Sequence, residues 1–118
     1  MSFGFVIGGT ALWREILVRA VGPSLAQFGI NNYAANPMYV LNGAYSLPGE
    51  NGQGWSATPG SSATITVESS RAGAFPLAQG SNDKADIFLL APGAYTITVN
   101  PTDPSGVGAE LVEVYEVE

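Results

Sequence analysis

The chain has 118 residues, of which 46% are hydrophobic, and it contains neither histidine nor cysteine. Imidazole-based acid–base catalysis, thiolate nucleophiles, disulfides and thiolate metal sites are therefore excluded. With four Lys or Arg against ten Asp or Glu, the net charge of −6 argues against nucleic acid and anionic membranes as partners.

Charged residues make up only 12% of the chain, about half of the usual ~25%. A surface so poor in charge is either partly covered by neighbouring domains or subunits, or is a Ser, Thr and Gly surface that stands alone. Both alternatives remain open. Apolar runs fall far short of the ~20 residues of a membrane span, and residues 1–5 do not resemble a signal peptide. Because the sequence begins abruptly in strand-like residues, we expect residues 1–118 to form one domain cut from a larger chain.

The first third of the sequence predicts two strands and a short helical turn. Phe3, Phe5 and Ile7 alternate with other residues, as in a strand with one buried face. Residues 16–21 are apolar except for one arginine, which predicts a strand buried on both faces. Residues 23–29 begin with proline and end with glycine, the asymmetry of a short helix.

The middle third is less regular. Residues 38–41 and 44–47 flank Asn42-Gly43, a strong hairpin signal. Residues 48–60 are predicted to form an irregular loop. In residues 63–67 Ala, Ile and Val alternate with Thr, which favours a half-buried strand, with a helical turn as the alternative.

The last third predicts three more strands. Residues 86–90 and 94–99 are expected to pair through a turn that contains Pro92 and Gly93, and residues 109–117 form the closing strand. The whole pattern, about seven or eight short antiparallel strands with one short helical turn, predicts an all-β fold, a single β-sandwich or jelly-roll-like domain.

Two charges interrupt apolar strands. Arg19 shares a strand face with apolar residues of its own strand, and Glu113 does the same in the last strand. A buried unpaired charge is very unfavourable, so we expect these two residues to form a structural ion pair between neighbouring strands. The alternative is that each charge reaches solvent at a sheet edge.

Four segments together resemble a known module. In order and spacing, the chain is similar to an accessory module repeated in large secreted or surface proteins of environmental bacteria, and more loosely to the pre-peptidase C-terminal type of β-sandwich. The resemblance covers nearly the whole chain and is carried by residues 16–30, 72–77, 90–96 and 109–116. It implies an exported, non-catalytic domain and offers no catalytic residues. Residues 50–55 depart from the string that usual copies of the module carry there.

Aromatic residues are the candidate ligand-binding groups. Because aromatic faces stack on sugar rings and loops often carry binding residues, a polysaccharide platform is predicted, formed by Trp13, Trp55, Tyr33, Tyr39 and Tyr45. The alternative is that these rings close the ends of the core.

Oxygen-bearing side chains also cluster before a strand, at Asn82, Asp83 and Asp86, and such ligands suit calcium. Other loops add Glu50, Asn51 and Asp103. Without an Asp-x-Asp-x-Asp-Gly loop, turn formation by Asn and Asp is the favoured interpretation.

The sequence thus predicts a module without enzymatic activity that acts outside the cell or at its surface, and no cofactor other than the calcium considered above. We expect it to bind polysaccharide or the cell envelope through loop aromatics. The alternative is a structural spacer or self-associating repeat, whose partners are neighbouring domains or further copies of itself.

Overall fold

The computed structural model describes residues 2–10, 12–43, 46–48, 54–57, 59–99 and 108–117. These residues hold seven strands, one 3-10 helix and one α-helix. In chain order they are β1 (Ser2–Ile7), β2 (Arg14–Val21), the 3-10 helix (Pro23–Phe28), β3 (Tyr39–Asn42), β4 (Ser46–Pro48), α1 (Pro59–Arg71), β5 (Lys84–Leu90), β6 (Gly93–Val99) and β7 (Leu111–Glu116). In this part of the chain, neither helix is both long and apolar enough to cross a membrane.

The strands form two antiparallel sheets. One has four strands in the order β1-β6-β3-β4, and the other has three in the order β5-β2-β7. The all-β class predicted from the alternating apolar residues is confirmed. The predicted helical turn is also present, as the 3-10 helix that starts at Pro23.

A first hydrophobic core joins the two sheets. Ile16 and Val18 of β2 pack in one buried cluster with Leu41 of β3 and Ile97 of β6. The alternate residues of β1, such as Phe5, pack against the same cluster. One face of each sheet is therefore buried in this core, as period-2 alternation requires.

A second core covers the opposite face of the three-stranded sheet. Leu17 and Val21 of β2 pack there with Leu25 of the 3-10 helix, Ile65 of α1 and the loop residue Trp55. Both faces of β2 are thus buried, which explains why its sequence is almost continuously apolar.

The strand predicted at residues 63–67 is wrong, because this segment lies inside α1. Ile65, Ser69 and Ala72 are spaced four and three residues apart, so a helix places them on one side, against the second core. Gly73 ends the helix with φ 78°, and the amides of Gly73 and Ala74 bond back to Ser70 and Ser69, which is a Schellman motif.

The hairpin predicted between residues 86–90 and 94–99 is also wrong. β5 pairs with β2 in the three-stranded sheet, whereas β6 pairs with β1 and β3 in the other sheet. Pro92 therefore lies where the chain crosses between sheets. The Pro-Gly signal predicts only that the chain turns at this point. Which strands pair is determined by packing against residues that are distant in sequence.

The hairpin of β3 and β4 is present, with its turn displaced from the predicted position. Asn42 is the last paired residue of β3 and lies opposite Ser46, so Gly43 begins the turn instead of ending it.

Candidate functional site

The two tryptophans have opposite environments. Trp13, just before β2, is 58% exposed. Trp55 is 3% exposed, and its indole Nε1 donates to the carbonyl oxygen of Ala78 at 2.9 Å. Trp55 therefore belongs to the second core, and the prediction that it projects from a binding loop is wrong.

Tyr33 and Tyr39, the two candidate tyrosines that the structure describes, do not form a platform either. Tyr39 is 2% exposed, and its hydroxyl donates to the carboxylate of Asp86. Tyr33 is half-buried against the second core, and Tyr45 lies outside the described residues. Aromatic rings bury more apolar area than other side chains, so folding favours placing them in the cores over leaving them exposed. Of the described candidates, only Trp13 offers an exposed face.

The predicted calcium ligands do not converge. Asp86 lies opposite Val18, on the face of the first core, and accepts from Tyr39. Asn82 uses its side-chain amide to donate to Ala35. Asp83 is fully buried and engaged elsewhere. Within the described residues no three acidic groups come together as a metal site would require, and Glu50, Asn51 and Asp103 lie outside those residues.

Asp83 is instead the centre of a buried polar network. Its Oδ1 accepts from the amides of Gly22 at 2.7 Å and Ser24 at 3.2 Å, and its Oδ2 accepts from the hydroxyls of Ser24 and Ser81, each at 2.5 Å. Trp55 donates its backbone amide to the carbonyl of Asp83 at 2.8 Å. The carboxylate of Asp83 therefore links the end of β2, the 3-10 helix and the loop that contains Ser81, and its main-chain carbonyl adds the loop that contains Trp55.

The Gly-Pro-Ser sequence after β2 is explained by this network. A Cβ at Gly22 would lie 2.0 Å from the carbonyl oxygen of Ala34, so only glycine fits there. Pro23 opens the 3-10 helix, and Ser24 supplies both an amide and a hydroxyl to Asp83. The sequence offers little sign of this role, because Asp83 follows an asparagine and has the appearance of a turn residue.

Lys84 and Glu110 are two further ionisable residues whose charges interact, and Lys84 also interacts with Asp83. Lys84 is 1% exposed, and its Nζ donates to Asn36 Oδ1 at 2.8 Å and to the carbonyl of Asn82. Burial lowers the pKa of Lys84, against the opposing attraction of Asp83 and Asp86. Burial raises the pKa of Glu110 to about 7, and the nearby ammonium of Lys84 acts in the opposite direction.

Arg19 and Glu113 are cross-strand partners on β2 and β7, where the sequence predicts them to meet. Arg19 Nε lies 3.0 Å from Glu113 Oε1, and the two side chains are 0% and 14% exposed. Arg19 also donates to the carbonyl of Phe75 at 2.8 Å, and its guanidinium lies 4.6 Å from the centre of the Phe75 ring. Arg19 therefore links Glu113 of β7 to Phe75 in the segment after α1, which is a structural role.

The outer strands of the two sheets differ in how they are protected from pairing with another chain. β4 is three residues long and ends in Pro48. β5 carries Lys84 and Asp86 and contacts α1, and β7 carries Glu113 and Glu116. Short length, proline, charge and a covering helix are the usual protections of an edge strand.

Among the residues that the structure describes, β1 has none of these protections. Its six residues, Ser-Phe-Gly-Phe-Val-Ile, include no charge and no proline. One side of β1 pairs with β6, and none of the described residues pairs with its other side. Val6 is 76% exposed. The main-chain groups along that side of β1 therefore have no strand partner within the part of the chain that the structure describes.

The chain was compared with models of protein families, with curated proteins and with solved structures, and none of them matches it.

Proposed function

We propose that this chain is a non-catalytic β-sandwich module of an exported protein, and that it self-associates by pairing β1 with the β1 strand of a second copy. The sandwich assignment is supported by the first core, to which both sheets contribute one face. The exported location is supported by the resemblance of the four sequence segments, and the role requires no cofactor.

The single observation that carries the proposal is the unprotected edge of β1. An edge strand without charge or proline favours pairing with another strand. A protein of net charge −6 repels its own copies, and repulsion is weakest where the approaching surfaces carry no charge. β1 is such a neutral strip, whereas the edge formed by β7 bears Glu113 and Glu116.

A second copy is the occupant that this geometry favours. Two antiparallel β1 strands related by a twofold axis would present the same surface to each other, as closed dimers do. The two four-stranded sheets would then continue into each other through main-chain hydrogen bonds.

The proposal of a non-catalytic role is supported by the chain's composition and by the contacts of its buried ionic side chains. The sequence has no imidazole or thiol, and the buried ionic groups Asp83, Lys84 and Arg19 are engaged with main-chain or side-chain partners of the fold. These three groups are therefore occupied by contacts that hold the fold together.

Two exposed valines provide a matched test. Val6→Lys places a charge on the β1 edge, and Val67→Lys places the same charge on α1, where the valine is 55% exposed. We expect sedimentation equilibrium to show a concentration-dependent dimer for the original chain and for Val67→Lys, and a monomer for Val6→Lys. Both variants should keep the original circular dichroism spectrum.

A chain that stays monomeric at the highest soluble concentration would overturn the proposal. Equal dimerisation of the Val6→Lys variant would do the same, because it would place the interface elsewhere.

Polysaccharide binding is the second candidate, favoured by Trp13, which is 58% exposed beside Leu12, itself 78% exposed. A single exposed indole can stack on one sugar ring. The test is retention on insoluble polysaccharides, which Trp13→Ala should abolish and Val67→Lys should leave unchanged. No retention on any polysaccharide would remove this candidate and leave self-association.

A further inference from the structure

A buried lysine meets an asparagine at one end of the first core. Lys84 is the only lysine in the sequence, and it is 1% exposed. It lies two residues before Asp86 on β5, so both side chains share the face of the first core. Lys84 Nζ donates to Asn36 Oδ1 at 2.8 Å. Because the carboxamide carbon is bonded directly to this oxygen, the amino group lies beside the electrophilic carbon of the Asn36 side chain.

The two residues belong to different sheets and are 48 positions apart in sequence. Lys84 begins β5 of the three-stranded sheet, whereas Asn36 lies just before β3 of the four-stranded sheet. Pro37, which follows Asn36, is fully buried, and a proline restricts the backbone of the residue before it. A covalent bond between the two side chains would therefore join the two sheets, in a chain that has no cysteine for a disulfide.

Glu110 provides a buried carboxyl group near the same amino group. The charges of Glu110 and Lys84 interact, and each shifts the pKa of the other residue. Both carboxyl oxygens of Glu110 are buried without a hydrogen-bond partner among the described residues. A carboxyl group buried in this way is unfavourable for the fold, so hydrogen bonding within the fold does not account for its position.

Burial moves Lys84 and Glu110 toward the protonation states that amide formation requires. It lowers the pKa of Lys84, outweighing the attraction of Asp83 and Asp86, and it raises the pKa of Glu110 to about 7. An amine with a lowered pKa loses its proton more readily and becomes a nucleophile. A carboxyl group with a pKa near neutrality can both accept and return a proton.

We propose that Lys84 and Asn36 form an intramolecular isopeptide bond and that Glu110 accepts the proton released by the lysine. Lys84 Nζ gives one proton to Glu110, and the neutral amine attacks Cγ of Asn36. The bond between Cγ and Nδ2 then breaks, its electron pair stays on Nδ2, and a second proton of the attacking nitrogen moves to Nδ2. The products are one amide, one ammonia and a protonated Glu110, so the reaction requires no oxidant and no cofactor.

The bond adds to the function proposed above and does not depend on it. Each chain reacts once with itself and turns over no substrate, so the module stays non-catalytic toward other molecules. The reacting groups lie inside one domain and require neither a second copy nor the exposed ring of Trp13.

Mass spectrometry of the denatured chain tests the bond directly. We expect the monomer to be lighter than its sequence by one ammonia. Trypsin cleaves an unmodified chain after Arg71 and again after Lys84, but it does not cleave after a lysine whose amino group is acylated. The bond therefore predicts a branched product in which residues 20–71 remain joined to residues 72–118.

Three variants assign the reacting groups, with circular dichroism to check that each is folded. Asn36→Ala removes the carbon that is attacked and should keep the full mass of its sequence. Glu110→Gln removes the proton acceptor and should slow the loss of ammonia about 100-fold or more. Asn32→Ala, at an exposed position in the same loop, is the matched control and should lose ammonia as the original chain does.

The full sequence mass in the original chain would overturn the proposal and leave Lys84 as a structural hydrogen-bond donor. Loss of ammonia that persists in Asn36→Ala would also overturn it, because the ammonia would then come from another side chain. An unchanged rate in Glu110→Gln would overturn the role of Glu110. A monomeric chain that has lost ammonia would contradict self-association and leave the bond standing.

Discussion

The two faces of the three-stranded sheet are built in different ways. The face toward the four-stranded sheet is a core of aliphatic and aromatic side chains such as Ile16, Val18 and Ile97. The face toward α1 buries Arg19 and borders the network of Asp83. In the first case the alternation of each strand determines what is buried. In the second case burial depends on hydrogen bonds between residues far apart in sequence, such as Gly22 and Asp83, which are separated by 61 positions.

The largest effect should come from Asp83, on the polar side. Asp83→Ala leaves the amides of Gly22 and Ser24 and the hydroxyl of Ser81 without their acceptor, so we expect a loss of about 3–5 kcal/mol in the free energy of unfolding. Urea denaturation followed by tryptophan fluorescence measures it. Leu41→Ala, in the apolar core, is the comparison, at about 2–5 kcal/mol. A loss below about 1 kcal/mol for Asp83→Ala would show that the network is dispensable.

The Arg19–Glu113 pair should give the next largest effect. Glu113→Gln leaves the fully buried guanidinium without its counter-charge. Because Glu113 is 14% exposed, we expect a loss of about 3 kcal/mol, at the lower end of the ~3–5 kcal/mol of a buried pair. The exposed pair of Arg14 and Glu116, at 2.8 Å, is the matched control, and Glu116→Gln should cost at most about 0.5 kcal/mol.

A double-mutant cycle sharpens this prediction. Arg19→Met combined with Glu113→Gln should be more stable than the sum of the single losses implies, because neither charge is then left alone. Additive losses would mean that the two side chains do not interact.

The smallest effect is a pH dependence at Glu110. Burial raises the pKa of Glu110 from its ordinary value of 4.5 to about 7, so the folded chain holds this proton more tightly than the unfolded chain does. The resulting stability is fully present below about pH 4.5 and is lost as the pH rises through 7. After allowance for solvent screening of a partly buried group, the change is about 1–2 kcal/mol.

Glu110→Gln should remove this pH dependence. The difference in unfolding free energy between the original chain and the variant is measured by urea denaturation at several pH values between 4 and 8. A difference that stays constant over this range would contradict the assigned burial of Glu110.

The apolar side of the sheet could be predicted well from the sequence. Phe3, Phe5 and Ile7 alternate in β1 as they do in the structure, and residues 16–21 form the strand that is buried on both faces. The first feature follows from the two-residue period of a strand and the second from a continuous apolar run, and neither requires knowledge of distant partners. The opposition of Arg19 and Glu113 could also be inferred, because each is a lone charge in an apolar row.

The polar side could not be predicted in the same way. Alternation of Ala63, Ile65 and Val67 resembles a strand, although Pro59 at the start and Gly73 just past the end mark α1 as a helix. Asp83 and Trp55 have the local appearance of loop residues, and only the folded chain brings their partners to them. Local sequence does not encode which sheet a strand joins, so the crossing at Pro92 was predicted as a hairpin.

Amide hydrogen exchange tests most directly whether β1 is the surface through which copies of this chain meet. Exchange is followed residue by residue at low and at high protein concentration, with Val6→Lys as the reference. We expect amides of β1 to exchange more slowly at high concentration in the original chain, and those of β5 and β7 to exchange at unchanged rates. Exchange in β1 that is the same at both concentrations, or a slowing confined to another edge, would contradict this account.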